Sequence, residues 1–383
     1  MKIIDDTDWE AVRREFPVTR DTAYLNSAAA GPVSRAGVEA ATNFYRGMME
    51  TGDADWDEWL LRRELARSHV AELINAEPNE IAFTINTSSG MNLIVDALEE
   101  RGEVLSCELE FPVSTLPWLH RGVTVHQVKA ENGELRAENI EHAMTNKTAI
   151  ISISHVQYSN GFRADLEAIG QSKKDHTFVV NASQSLGVLP VDVKRMRIDA
   201  LCVTGHKWLL AGYGSGFVYL SRELLERTTP RVIGWLSVEE PFAMHNREFY
   251  LRRDAAARAE LGCPHFAGIF ALGASLEYLL HMGTEKIEQR ALWLNRHLTA
   301  RLTEVGWEIL SPLRDEAMRS AETLVAVKEP ARVVAHLANR RVSVTEKPQG
   351  IRIATHFFNN EADIAQLIEA LAEIRSSTAL IDS

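Results

Sequence analysis

The stretch "ALCVTGHKWLLAGYGSGFVYL", residues 200–220, decides how the rest of the chain is read. Ala200 to Val203 form an apolar run with the length and residue types of a buried strand. The run ends in Thr204-Gly205-His206-Lys207, and lysine is seldom buried without a partner. The glycines of "GYGSG" invite a dinucleotide-binding reading, which requires strand, then glycines, then helix. Here they lead into a second apolar run, so that reading fails. Two accounts of Lys207 remain. Its side chain snorkels from the strand end to water, or apolar neighbours disfavour its charged form. In the second case the amine falls from a free pKa of ~10.4 towards neutrality and becomes a nucleophile.

Working outward, "EIAFTI", "EVLSCEL", "VTVHQV", "AIISISHV" and "TFVVNAS" precede this stretch and alternate with helical patterns. That alternation predicts an α/β fold with a mostly parallel sheet. Ligands bind such a sheet at the carboxyl ends of its strands. Thr87-Ser88-Ser89-Gly90 falls there, between a strand and a helix; its backbone N–H groups suit an anion such as phosphate, although a plain N-cap has the same residues. Asn181 and Gln184 stand at another strand end, and Thr204, His206 and Lys207 at a third. Taken together, an anion cradle, two polar strand ends and a lysine describe one site. Its chemistry points to a Schiff base with a carbonyl, most often pyridoxal phosphate. No HExxH pattern or ligand pair at helical spacing supports metal catalysis, and no GxSxG elbow is present.

After about residue 265 the pattern changes. "FAGIFALGASLEYLLHMG" and "TEKIEQRALWLNRHLTARLTEVG" read as consecutive helices. Strand-like "ETLVAVK", helical "PARVVAHLANR", and strand-like "RVSVTE" and "GIRIATH" follow. The last helix repeats Ile364, Leu367, Ile368, Leu371 and Ile374 on one face, with Asn360 and Asp363 as its start signal. This third predicts a smaller α+β unit. The 383 residues suffice for about two domains. A net charge of −12 argues against nucleic acid or an anionic membrane as partner. Three cysteines without CxxC spacing suggest a reducing compartment and no disulfide framework. The charged amino terminus is unlike a signal peptide, and no apolar run reaches the ~18 residues of a membrane helix. A soluble, cytoplasmic protein is expected.

The segments "AYLNSAAAGPVS", "NTSSGMN", "EFPVSTLPW", "SHVQYSNGFRADLEAIG", "NASQSLGVLPVDV", "VTGHKW", "RAELGCPHFAGIFAL" and "IRIATHFFNNEADI" follow one another in an order that resembles a known family. It is the class V aminotransferase and cysteine desulfurase-like group of pyridoxal phosphate enzymes. The segments look most like the branch holding isopenicillin N epimerase and cysteine/cystine C–S lyases. The resemblance implies fold type I, with a large cofactor domain (20–264) and a small α+β domain (1–19 and 265–383). It also implies an amino-acid substrate and a homodimer with active sites at the subunit interface. Lys207 matches the Schiff-base lysine. Thr87, Ser88, Thr204 and His206 match positions that hold the cofactor phosphate, Phe111 the ring over the pyridine, and Gln184 the contact to its phenolic oxygen. Arg352 matches the arginine that grips the substrate carboxylate, a bidentate task suited to guanidinium; the plain alternative is a surface ion pair on an edge strand.

Three departures bear on function. Asn181 stands where the family usually has aspartate, and a neutral amide cannot balance a pyridinium charge. A weaker electron sink disfavours transamination more than elimination of a β substituent. Cys263 in "LGCPHF" replaces a threonine that usually reaches the partner subunit's phosphate; a thiol is a poor hydroxyl substitute, and a buried inert thiol is the plain reading. Residues 310–350 hold no cysteine, which argues against the desulfurases that carry a persulfide on a small-domain thiol. The expected activity is that of a lyase on a β-substituted, cysteine-like amino acid. An aminotransferase or an epimerase of the same fold is the alternative. Asn181 and Cys263 would also suit a catalytically silent cofactor-binding or regulatory protein.

Overall fold

Each apolar run between residues 81 and 220 forms a strand of one sheet. The computed structural model describes residues 7–98, 102–252 and 255–379; residues 1–6 of the charged amino-terminal stretch lie outside them. The strands are β1 (Ala23–Tyr24), β2 (Ile81–Thr84), β3 (Glu103–Cys107), β4 (Val125–Val128), β5 (Thr148–Ser154), β6 (Thr177–Asn181), β7 (Ala200–Thr204) and β8 (Gly216–Leu220). Seven of them make a sheet in the order β2-β8-β7-β6-β5-β3-β4. Only β8 runs antiparallel to its neighbours. The carboxyl ends of β2, β3, β5, β6 and β7 therefore share one edge.

β6, β7 and β8 are buried along their whole length, which explains their continuous apolar runs. Side chains alternate between the two faces. Leu201, Val203, Phe178 and Val180 join one core cluster, while Ala200, Cys202 and Val179 join another beneath the helix Thr87–Leu98. The helix Phe266–Met282 is apolar on most of its circumference because it is packed on several sides. It lies against the helices Arg35–Thr51 and Trp56–Ile74, neither of which the strand alternation had pointed to.

The remaining strands are β9 (Glu322–Ala326), β10 (Val342–Ser343), β11 (Thr345–Lys347) and β12 (Gly350–Ala354). "RVSVTE" is not one strand. β10 pairs in parallel with β1, whereas β11 pairs with β12 in an antiparallel sheet of order β11-β12-β9. The last helix, Glu361–Ala379, buries Ile364, Leu367 and Leu371. Its start signal is reciprocal: the Asp363 N–H donates to Asn360 Oδ1 at 3.1 Å and the Asn360 N–H to Asp363 Oδ2 at 3.3 Å. Arg13 grips the same carboxylate with two bonds of 2.7 Å, tying the amino-terminal segment to this helix.

Candidate active site

The backbone around Lys207 is held from both sides. Gly205 donates to the Ser215 carbonyl at 2.8 Å and accepts from Ala211 at 2.9 Å, folding the loop back towards β8. The Gly31 N–H donates to the His206 carbonyl at 2.7 Å. A Cβ on Gly31 would lie 2.1 Å from the Lys207 carbonyl oxygen, so only glycine fits there. Gly31→Ala should therefore cost about 1–3 kcal/mol through overpacking and displace the lysine. Thermal unfolding and a cofactor titration would show both effects. Beneath the loop, the buried Trp208 indole donates to Gln184 Oε1 at 3.0 Å, and Gln184 Nε2 donates to the Ala28 carbonyl at 3.1 Å.

Thr87, Ser88, Phe111, Asn181, Gln184, Thr204, His206 and Lys207 line a single cavity of about 170 Å³. Asn86, Val113, Ser154, Tyr158 and Ser183, which sequence reasoning did not select, complete its wall. Larger cavities of about 410 and 510 Å³ lie elsewhere, and neither is lined by a lysine. Cys263 lines the first, so within this chain it does not share the cavity of Lys207. Cys263 is also exposed, which corrects its reading as a buried thiol. It lies in the surface loop before the helix Phe266–Met282, whose buried face begins only at Phe266.

One end of the cavity gathers hydrogen-bond donors. Asn86 caps the helix Thr87–Leu98 by accepting from the Ser89 N–H at 2.9 Å, so this cap leaves the first-turn donors of Thr87 and Ser88 unused. Thr87 Oγ1 lies 2.6 Å from Ser183 Oγ, and Thr204 Oγ1 lies 2.6 Å from His206 Nδ1. Burial, and then the charge of Lys207, push His206 down to about 4, so its imidazole is neutral at pH 7. Its ring stacks on Tyr213 at 4.4 Å.

In the middle, Asn181 Oδ1 accepts from the Ser183 N–H at 3.1 Å, which fixes the amide's orientation. Its nitrogen then donates to Ser114 Oγ at 3.2 Å, leaving one N–H in hand. Ser114 also hydrogen-bonds the buried Glu110 carboxylate, which accepts from the Ser154 N–H at 2.6 Å and Gln157 Nε2 at 2.8 Å. Phe111, on the cavity wall, is 45% exposed.

At the far end, Lys207 Nζ is 5.9 Å from the Phe111 centroid. Burial, then the positive charges of Arg352 and Lys347, bring its amine down to about 8, against the opposing pull of Glu322. Arg352 stands behind Tyr158, donating to its carbonyl at 3.2 Å, and lies 3.4 Å from the Glu322 carboxylate. It is 4% exposed on the central strand of its sheet, which rules out the surface ion pair. Glu110, Ser114, Tyr158, Glu322 and Lys347 were not singled out from sequence. Glu110 is marked in the sequence by its place beside Phe111; Glu322 and Lys347 carry no sequence signal beyond charges at strand ends.

This geometry, a fold type I sheet with a lysine at the mouth of β7 and an anion cradle at the end of β2, defines a class of pyridoxal phosphate enzyme. The aminotransferase class-V family model matches residues 23–367, and the chain belongs to that family. It is 29% identical to a probable cysteine desulfurase of Methanothermobacter thermautotrophicus, over 95% of this chain and 98% of that one. It is 25% identical to the isopenicillin N epimerase of Amycolatopsis lactamdurans, over 96% and 99%. The cystine C–S lyase C-DES, solved with its product cysteine persulfide, shares the fold with a TM-score of 0.85 at 22% identity, over 93% and 99%. The family's cofactor is pyridoxal 5'-phosphate. The cavity suits that group, with anion donors at one end, an exposed aromatic face and an amide N–H between, and a near-neutral lysine opposite.

Proposed function

We propose that the chain is a pyridoxal phosphate-dependent lyase acting on an amino acid with a leaving group on its β-carbon, such as a cysteine conjugate. The observation that carries this reading is the neutral Asn181 amide, locked with its nitrogen towards Ser114, at the position that would face the pyridine. When bound, the cofactor supplies an electron sink for bonds at the substrate α-carbon. Thr87, Ser88, Thr204 and His206 would hold its phosphate, Phe111 would cover its ring, and Gln184 would serve its phenolic oxygen. Lys207 would hold the group's aldehyde end and would be the base that moves the substrate α-proton. Arg352 holds the substrate carboxylate and so sets which α-bond stands across the ring. With only an amide at position 181 the sink is weak. Negative charge at the α-carbon is best discharged at once by expelling the β substituent, and transamination, which must store it, is disfavoured.

Two further parts of the reading concern sulfur and assembly. Cys107 and Cys202 are buried and Cys263 lines another cavity, which supports sulfur leaving with the product rather than on a protein thiol. The chain works as a homodimer in which Cys263 reaches the second copy's phosphate; exposed Ile85, Val232 and Leu261 beside it support that pairing. The test is incubation of the holoenzyme with a cysteine conjugate and no oxo-acid acceptor. A lyase releases oxo acid and thiol. A requirement for an acceptor, or an altered optical rotation at unchanged mass, would replace this reading with an aminotransferase or an epimerase.

Two predictions follow from the tuning. Asn181→Asp should strengthen the sink and raise the exchange of the alanine α-hydrogen with D2O, read by proton NMR. Capture of pyridoxal phosphate by apoenzyme should accelerate about tenfold per pH unit up to pH 8, where the Lys207 amine loses its proton, and level off above it. Stopped-flow absorbance would record the profile.

A further inference from the structure

Glu322 begins β9 and is 2% exposed, yet neither carboxylate oxygen has a hydrogen-bond partner among the described residues. A buried carboxylate left this way is costly and calls for an account. The register of the small sheet places it. Arg352 lies opposite Leu324 on β9 and Thr345 on β11, and Ala354 lies opposite Glu322. With side chains alternating along each strand, Glu322, Arg352, Thr345 and Lys347 occupy one face. The charged groups acting on Glu322 are Arg352 of β12, Lys347 of β11 and Lys207 of the loop after β7. The loop 157–163 packs Gly161 against the Glu322 backbone and brings Tyr158, whose ring lies 4.4 Å from Lys347 Nζ.

Arg352 is thus already engaged, by the Tyr158 carbonyl and by Glu322, just behind the Tyr158 wall of the cavity rather than among its lining residues. We propose that Glu322 is a placeholder on Arg352: the substrate carboxylate displaces it, and Glu322 takes up one solvent proton as it yields. Glu322 thereby sets the affinity of the site for carboxylates and the pH dependence of that affinity. The inference rests on the reading of Arg352 given above. Two carboxylates beside one guanidinium do not both stay charged cheaply, and burial already raises the Glu322 pKa. The balance is one proton consumed per carboxylate bound, with no covalent bond to carbon changed. Because binding consumes a proton, affinity falls as pH rises past the Glu322 pKa, approaching about tenfold per pH unit.

Calorimetric titration of the holoenzyme with L-alanine, which has no β leaving group, in two buffers of different ionisation enthalpy counts the protons. Because Glu322 also acts on Lys207, the lysine's own titration is followed in each variant through the cofactor absorbance, which also confirms folding, and its share of the protons is subtracted. Wild type should take up close to one proton more than Glu322→Gln. At alkaline pH the variant should bind alanine on the order of tenfold tighter, with a flattened pH profile. Glu322→Ala should behave likewise, which shows that loss of charge rather than a new amide contact is responsible. Equal proton counts and affinities in wild type and both variants would overturn the proposal. Arg352→Gln separates the two claims. If it leaves alanine binding unchanged, the role given to Arg352 fails; if it weakens binding while the Glu322 variants change nothing, the placeholder alone fails.

Discussion

Lys207→Ala should lower turnover by on the order of 10²–10⁴-fold from lost proton transfer alone, while the protein stays folded and still binds pyridoxal phosphate. Folding should survive because the loop is fixed by backbone contacts, from Gly205 to Ser215 and from Gly31 to His206, rather than by the amine. Binding should survive because the anion end of the cavity, at Thr87, Ser88, Thr204 and His206, does not depend on the lysine. Added methylamine should restore part of the rate, since a small amine can fill the volume the side chain vacates. Steady-state release of oxo acid, with and without methylamine, measures both. Turnover within a few-fold of wild type would remove Lys207 from the chemistry.

Arg352→Gln should have the second largest effect, in two separable ways. Losing a charge-assisted, two-pronged donor should raise the KM for the amino acid about 10–100-fold, the equivalent of roughly 1.5–3 kcal/mol. It also leaves Glu322 buried without its counter-ion, a situation that costs up to about 3–5 kcal/mol of stability. The sign with pH follows from the carboxyl. Its pKa is already raised in the folded protein and rises further without Arg352. A group of that kind favours the folded state when protonated and loses that favour as pH rises through the folded pKa. The stability deficit should therefore be larger at pH 8 than at pH 5 in denaturant titrations. Arg352→Lys should recover stability but not affinity, because the charge returns without the planar fork.

Much of the sheet was legible because burial on both faces leaves continuous apolar runs, as in β6, β7 and β8, and because each strand end is marked by polar residues. "RVSVTE" misled because its first half pairs with β1, more than three hundred residues away, and the chain then crosses to another sheet; local pattern does not encode a partner. That these side chains share one cavity was legible for a related reason: Asn181 and Thr204 end β6 and β7, and Thr87 opens the helix that follows β2, all on one edge of the sheet. Glu322 and Lys347 reach the same region only through the register of an antiparallel sheet, which adjacent residues do not reveal. Cys263 was misjudged because thiols are so often buried, whereas here the loop ahead of the helix Phe266–Met282 keeps it at the surface.

The most direct test of the account is reduction of the holoenzyme with borohydride followed by peptide mapping. A phosphopyridoxyl adduct confined to the peptide carrying Lys207, and absent from Lys207→Ala, is the predicted result. An adduct on any other lysine, or none in protein that retains the cofactor, would contradict it.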